Sequence, residues 1–366
     1  MNIDTKIPSR LRKSFSPIEV KTNVPFEIIS NIAENLTDLP GVSWRNKPVR
    51  YYAETGSLSH VLGYVGDITN EELKLMYNKG YTSNSIVGKT GIERQYDSLL
   101  QGKEGSISRT VDVHGRILNE DPVVVPPVSG KNLVLTIDSE IQTLAEKALG
   151  ERVGAAVVLK PASGEILAMV SSPGIDVEVL SDIGKHYSEI SRNPRKPMFN
   201  RTVMASYPPG SVFKLVNGLI GLQEEVLEPS YSYPCNGGYY YSGNHKLGCH
   251  AHSSPLKLLD AIATSCNGYF CYVLRNILEN KKYGSTAEAL DAWREYVLSF
   301  GFGQKLGSDF PSELGGNIPT SNYYNRIYGK GRWRFQTIVS LSIGQGEIGA
   351  TPLQIANLAA IMANSC

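Results

Sequence analysis

The sequence predicts a mixed α/β protein of two domains, in which a sheet carries packed helices and a smaller unit precedes it. Three observations carry this expectation. The chain has 366 residues, more than one typical domain needs. In "GAAVVLKPASGEILAMVSSP" (154–173) two β-rich runs flank Pro161-Ala162-Ser163-Gly164, a four-residue hairpin turn. From Ser211 onward the pattern turns mainly helical, through 211–224, 255–264, 268–280, 285–299 and the closing "TPLQIANLAAIMANS".

The other elements follow in order. "HVLGYVGDI" (60–68) reads as a short β-like run. "TNEELKLMYNKG" (69–80) carries a Thr start, an acidic first turn and a closing Gly, so it reads as a capped helix. "EDPVVVPPVSGKNLVLTID" (120–138) places three prolines ahead of the next regular element. That stretch is the expected domain boundary, giving 1–125 and 126–366. "DSEIQTLAEKAL" then reads as an amphipathic helix with Ile141, Leu144, Ala148 and Leu149 on one side.

Composition narrows the class. Hydrophobic residues make up 41% and charged residues 19%, which fits a chain able to bury a core. A net charge of +1 gives no electrostatic case for nucleic acid or an anionic membrane. No apolar run reaches about 18 residues. "MNIDTKIPSR" is polar from its start, so no signal peptide is expected there. Of five cysteines, Cys235, Cys249, Cys266 and Cys271 fall within 37 positions. An odd count argues against a fully paired disulfide scaffold.

The most informative stretch is "ASYPPGSVFKLVNGLIGLQEE" (205–225). Pro208, Pro209 and Gly210 cannot continue a helix, so one can begin just after them. Phe213, Leu215, Val216, Leu219, Ile220 and Leu222 would give it a broad apolar surface. Ser211 then sits at the helix N-terminus, with Lys214 one turn on along the same face. A serine hydroxyl is a weak nucleophile until a base takes its proton. A lysine amine can be that base where burial lowers its pKa. The positive helix end favours the anion formed on acyl attack. Ser-x-x-Lys is common by chance, and "SPLK" (Ser254–Lys257) is a second copy. There Ser254 reads as an N-cap with Pro255 at the first helical position.

"LLDAIATSCNGYFCYVL" sets Ser265-Cys266-Asn267 between two apolar helical runs. Ser265 can relay a proton from Lys214 to a leaving group, and Asn267 can hold the lysine or a substrate amide. The bland alternative is a helix-breaking cap pair. "SIVGKTGIERQYD" (85–97) contains a Lys-Thr-Gly triplet. A phosphate loop would need Gly at position 83, which is serine. The string therefore reads as a turn bracketed by Gly88 and Gly91, then a helix with Ile92, Tyr96 and Leu99 on one face.

In "YPCNGGYYYSGNHKLGCHAHSSP" (233–255), Cys235, His245, Cys249, His250 and His252 share one loop. Cys235, Cys249 and His252 are candidate ligands of a structural zinc. A Cys235–Cys249 disulfide and plain loop packing are the competing readings.

Taken together, these strings resemble the class B penicillin-binding transpeptidases of the elongation type. "NRTVMASYPPGSVFKLV", "AIATSCNGYF" and "SLSIGQGEIGATPLQIANLAAIMAN" match the catalytic domain. "LPGVSWRNKPVRYYAETGSLSHVLGYVGDI" and "GKTGIERQYDSLLQGKEG" match the non-catalytic pedestal or dimerisation domain that precedes it. The resemblance implies a serine β-lactamase-like α/β/α sandwich around an antiparallel sheet. It implies Ser211 as acyl acceptor and Lys214 as general base, with Ser265, Asn267 and Gln345 as substrate contacts. It implies cross-linking of peptidoglycan stem peptides, acylation by β-lactams, and no required cofactor. Some such relatives bind zinc near the Cys/His loop. The implied partners are stem peptides, β-lactams and the glycosyltransferase of the elongation machinery, at the outer face of a bacterial inner membrane. The family's own Lys-Ser/Thr-Gly strand should follow Ser-x-Asn, and a membrane helix should precede the first domain. Neither is read within these residues, so the chain is expected to be an interior fragment with impaired catalysis. A soluble β-lactamase, a β-lactam sensor and a non-catalytic cell-wall scaffold are the rival readings.

Overall fold

The computed structural model describes residues 20–21, 24–44, 58–83, 85–110, 112, 121–176, 179–180 and 183–364. These fall into two compact units. One comprises the described residues of 1–51 and 101–131, the other those of 52–100 and 132–366.

In the described residues eight strands pair in antiparallel twos. These are β1 (Val65–Asp67) with β2 (Ile86–Gly88), β3 (Ser106–Ser108) with β4 (Val123–Val125), β5 (Gly154–Leu159) with β6 (Ile166–Ser172), and β7 (Gly238–Ser242) with β8 (His245–Gly248). The first unit holds helix Phe26–Glu34 and the β3–β4 pair. β4 lies inside the Pro-rich stretch, which is therefore partly structured.

The second unit contains the β5–β6 hairpin, in register from Gly154↔Ser172 to Val158↔Ala168, with a one-residue slip before Leu159↔Ile166. Helix Ser139–Leu149 packs on β6 and helix Pro352–Ala363 on β5. Both helices begin with a side-chain cap. Asp138 accepts the N–H groups of Glu140 and Ile141, and Thr351 forms a capping box with Gln354. A helical block follows, with Phe213–Gln223, Asn267–Leu278 and Thr286–Ser299 packed around Phe213, Tyr269, Phe270, Leu274 and Trp293, all fully buried. Phe213 meets Trp293 and Phe302 edge-on, with ring centroids 6.1 and 5.5 Å apart.

Several elements depart from the sequence reading. His60-Val61-Leu62 is helical, within Ser59–Leu62, and only Val65–Asp67 is extended. His60 Nε2 bonds Pro197 O at 2.7 Å, so tertiary contact overrides the run's β-propensity. Helix Ser139–Leu149 does not turn Leu144 inward: that side chain is 68% exposed, whereas Gln142 is fully buried. Gln142 Oε1 accepts Met169 N–H at 2.8 Å and its Nε2 donates to Met169 O at 3.2 Å. The amide thus pairs with β6 as a neighbouring strand would. Leu219 and Leu222 are also partly exposed, because the 213–223 helix buries the stripe Phe213, Val216, Asn217 and Ile220 instead. Finally, β7–β8 inserts a hairpin into what reads as a mainly helical region, turning through Gly243 at φ +51°.

Candidate active site

Ser211 lies in a short 3-10 turn, Gly210–Val212, that runs directly into the Phe213–Gln223 helix. Gly210 takes φ +63°, a conformation that only glycine adopts freely. Neither segment has a side-chain cap; Gly210 N–H is taken by Gly344 O, and Ser211 beside it is exposed. Phe213, Val216 and Ile220 anchor the helix in the core, at roughly 1.5–3 kcal/mol for each such side chain.

Lys214, one turn on, is 3% exposed. Its Nζ donates to Ser265 O at 2.7 Å, Ser265 Oγ at 3.0 Å and Asn267 Oδ1 at 2.6 Å. Those three acceptors use all three ammonium protons. Among the described residues Lys214 has no carboxylate partner. Burial without a counter-ion holds its pKa below the ordinary lysine value of 10.5.

The Ser265-Cys266-Asn267 turn joins helix Leu258–Ala263 to helix Asn267–Leu278. Ser265 takes φ +51°, a left-handed conformation that costs a non-glycine residue about 1–3 kcal/mol. That conformation turns both its carbonyl and its hydroxyl to Lys214. Asn267 Nδ2 also donates to Gly248 O at 2.7 Å, so the β7–β8 pair fixes its amide.

Gln345 is exposed. Gly344 O accepts Gly210 N–H at 2.9 Å, which brings Gln345 beside the Ser211 turn. Ser211, Lys214, Ser265, Asn267 and Gln345, spread over 135 positions of sequence, thus meet in one region. The "SPLK" copy does something else. Ser254 Oγ accepts Cys235 N–H at 2.9 Å, and the next helix begins at Leu258 with Lys257 as N-cap. The expected N-cap role of Ser254 is therefore corrected. Lys89, in the Lys-Thr-Gly triplet, pairs with Glu72 Oε2 at 2.5 Å.

Behind the Ser265–Asn267 turn lies a second cluster. Sγ of Cys235, Cys249 and Cys266 and a ring nitrogen of His252 all lie within 4.8 Å of one another. The described cysteines are free thiols. Cys249 Sγ lies 3.3 Å from His252 Nε2 and accepts Asn267 N–H at 3.2 Å. Burial raises the Cys249 thiol, but bonds from Asn267 N–H, His252 and Gly268 N–H outweigh it and bring it down to about 7. Cys266, fully enclosed, is pushed up to about 12 by burial. His252 Nδ1 donates to Ser253 O at 2.6 Å, leaving Nε2 toward the thiols. The structure brings the three sequence candidates together and adds Cys266, which the sequence reading passed over.

Residues 2–135 match the penicillin-binding protein dimerisation domain and residues 154–365 the penicillin-binding protein transpeptidase domain. The chain is 34% identical over 356 residues to the peptidoglycan D,D-transpeptidase MrdA of Acinetobacter baumannii, covering 95% of this chain and 50% of that protein. It is 30% identical over 363 residues to MrdA of Escherichia coli, covering 96% and 55%. The chain spans about half the length of the curated relatives it matches. Among solved structures, PBP2 of Helicobacter pylori in complex with MreC superposes with a TM-score of 0.80 at 28% identity, covering 95% of this chain and 63% of that one. PBP2 of Pseudomonas aeruginosa in complex with WCK 5153 gives 0.71 at 33% identity, covering 87% and 66%. With the transpeptidase match spanning more than half its length, the chain belongs to the penicillin-binding protein transpeptidase family.

Proposed function

We propose that this chain carries the acylation machinery of a peptidoglycan D,D-transpeptidase of the cell-elongation type. The observation that carries the reading is the buried, counter-ion-free Lys214, held by Ser265 and Asn267 one turn from an exposed Ser211. In its neutral form Lys214 takes the Ser211 hydroxyl proton as Oγ attacks the D-Ala-D-Ala carbonyl. Ser265 passes that proton to the departing amine, and the C–N bond breaks to release D-Ala. An amine on a neighbouring strand then attacks the ester, restores the Ser211 hydroxyl and completes the cross-link. Ser265, Asn267 and Gln345 flank the peptide. A β-lactam enters by the same attack and stays as an ester.

Residues 1–125 serve as a pedestal for protein partners and 126–366 as the catalytic part, a division supported by the two family matches. The working site is the outer face of the inner membrane, beside the elongation glycosyltransferase. No helix among the described residues is long and apolar enough to cross a membrane.

Cys235, Cys249, His252 and Cys266 would hold a structural zinc. With Zn–S bonds of ~2.3 Å, tetrahedral ligand atoms lie roughly 3.5–4 Å apart, which the 4.8 Å cluster accommodates. Bound there, zinc would clamp the Ser265–Asn267 turn through Cys266. One zinc per chain by elemental analysis, lost in Cys266→Ser, is the expected result. A metal-free protein with two alkylation-resistant cysteines would favour a disulfide.

The function is tested with a D-Ala-D-Ala stem peptide and an amine acceptor in the full-length protein. Release of D-Ala with peptide transfer is expected, and Ser211→Ala should abolish both. Rapid β-lactam hydrolysis without transfer would point to a β-lactamase instead.

A further inference from the structure

Asn217 lies three residues past Lys214 on the 213–223 helix and has no exposed surface. Its Nδ2 donates to Leu341 O at 3.2 Å and Ser342 O at 3.0 Å, while its Oδ1 accepts Trp293 Nε1–H at 2.8 Å. Three of the four bonds an amide can make are therefore formed. The indole donor fixes which end of the amide faces the carbonyls.

Those two carbonyls close the 3-10 segment Phe335–Ile343, where Leu341 O also accepts the Gly344 N–H at 3.3 Å. The segment then turns at Gly344, φ +67°, and a Cβ there would come within 3.0 Å of Gly210 backbone and Phe213 Cβ. The chain carrying Ser211 is thus tied to the chain carrying Gln345 at two points. Gly210 N–H to Gly344 O is the tie in front of Ser211. Asn217 to Leu341 and Ser342 is the tie behind it. An apolar side chain would fill the same volume, but it would offer neither carbonyl a donor and would cut the second tie.

We infer that Asn217 is a positioning residue, setting where Ser211 stands relative to the Gln345 rim. The inference rests on the reading of Ser211 as acyl acceptor. It is tested by labelling the full-length protein with a chromogenic penicillin and separating the acylation constant k2 from the pre-covalent constant K. Asn217→Leu keeps the volume and removes both donors without placing a charge near Lys214. A fall in k2 of about 10²-fold with K within about threefold is expected, since small misplacements of a nucleophile act on the reactive step. Val297→Ala, a fully buried site on helix Thr286–Ser299, is the stability control. Its melting temperature should fall while k2 stays within about threefold. Asn217→Ser, which also removes both N–H donors, serves where Asn217→Leu does not fold. Folded variants with k2 near the parent's would overturn the inference, as would failure of both to fold, which would make Asn217 structural only. A parent that takes no label would overturn the Ser211 reading, and the inference with it.

Discussion

Lys89, just after strand β2, and Lys214, just after the Gly210 turn, both sit in strings associated with the same enzyme chemistry, yet their surroundings are opposite. Lys89 lies 2.5 Å from the Glu72 carboxylate, each side chain partly open to water. The pair ties the end of β2 to helix Asn70–Met76. Lys214 is buried with two oxygens of Ser265 and the amide oxygen of Asn267 for company and, among the described residues, no carboxylate. Burial is what lowers the Lys214 pKa below the ordinary lysine value.

The comparison is broken most directly at the nucleophile and base. Ser211→Ala should remove penicillin labelling entirely. Lys214→Ala should slow acylation by about 10²–10⁴-fold, the usual contribution of a general base. The pH dependence tests Lys214 further. Only neutral Lys214 accepts a proton, so acylation should rise as pH rises through its folded pKa, which lies below 10.5. Stopped-flow labelling across pH would show this, and a rate independent of pH would count against Lys214.

The same site shows what a sequence can reveal. Ser211 and Lys214 are legible because helix geometry fixes what three residues of spacing means. Ser265 and Asn267 are legible because a polar pair between two apolar helices has to face something polar. Cys266 escapes because it sits between them and looks like filler, although four cysteines within 37 positions were the available signal. Gln142 escapes because hydrophobic periodicity assigns a glutamine to the surface. Only the paired backbone of Met169 explains its burial. Asn217 escapes for the same reason, since its partners lie 76 to 125 positions away.

Smaller effects sharpen the contrast. Gln142→Leu should cost about 1–3 kcal/mol for each backbone group of Met169 left unpaired, measured by denaturant unfolding, with acylation preserved. Lys89→Met should cost about 1 kcal/mol, because the pair is still partly open to water, and should leave penicillin labelling unchanged. A large loss of labelling in Lys89→Met would erase the distinction between the two lysines.

The most direct measurement is peptide mapping of the penicillin adduct in the full-length protein, followed over time at several pH values. A single mass increment on the peptide bearing Ser211, forming faster as pH rises toward the lysine range, is the expected result. An adduct on any other residue, or one on Ser211 that forms at the same rate at every pH, would contradict the assignment of Ser211 and Lys214 as nucleophile and base.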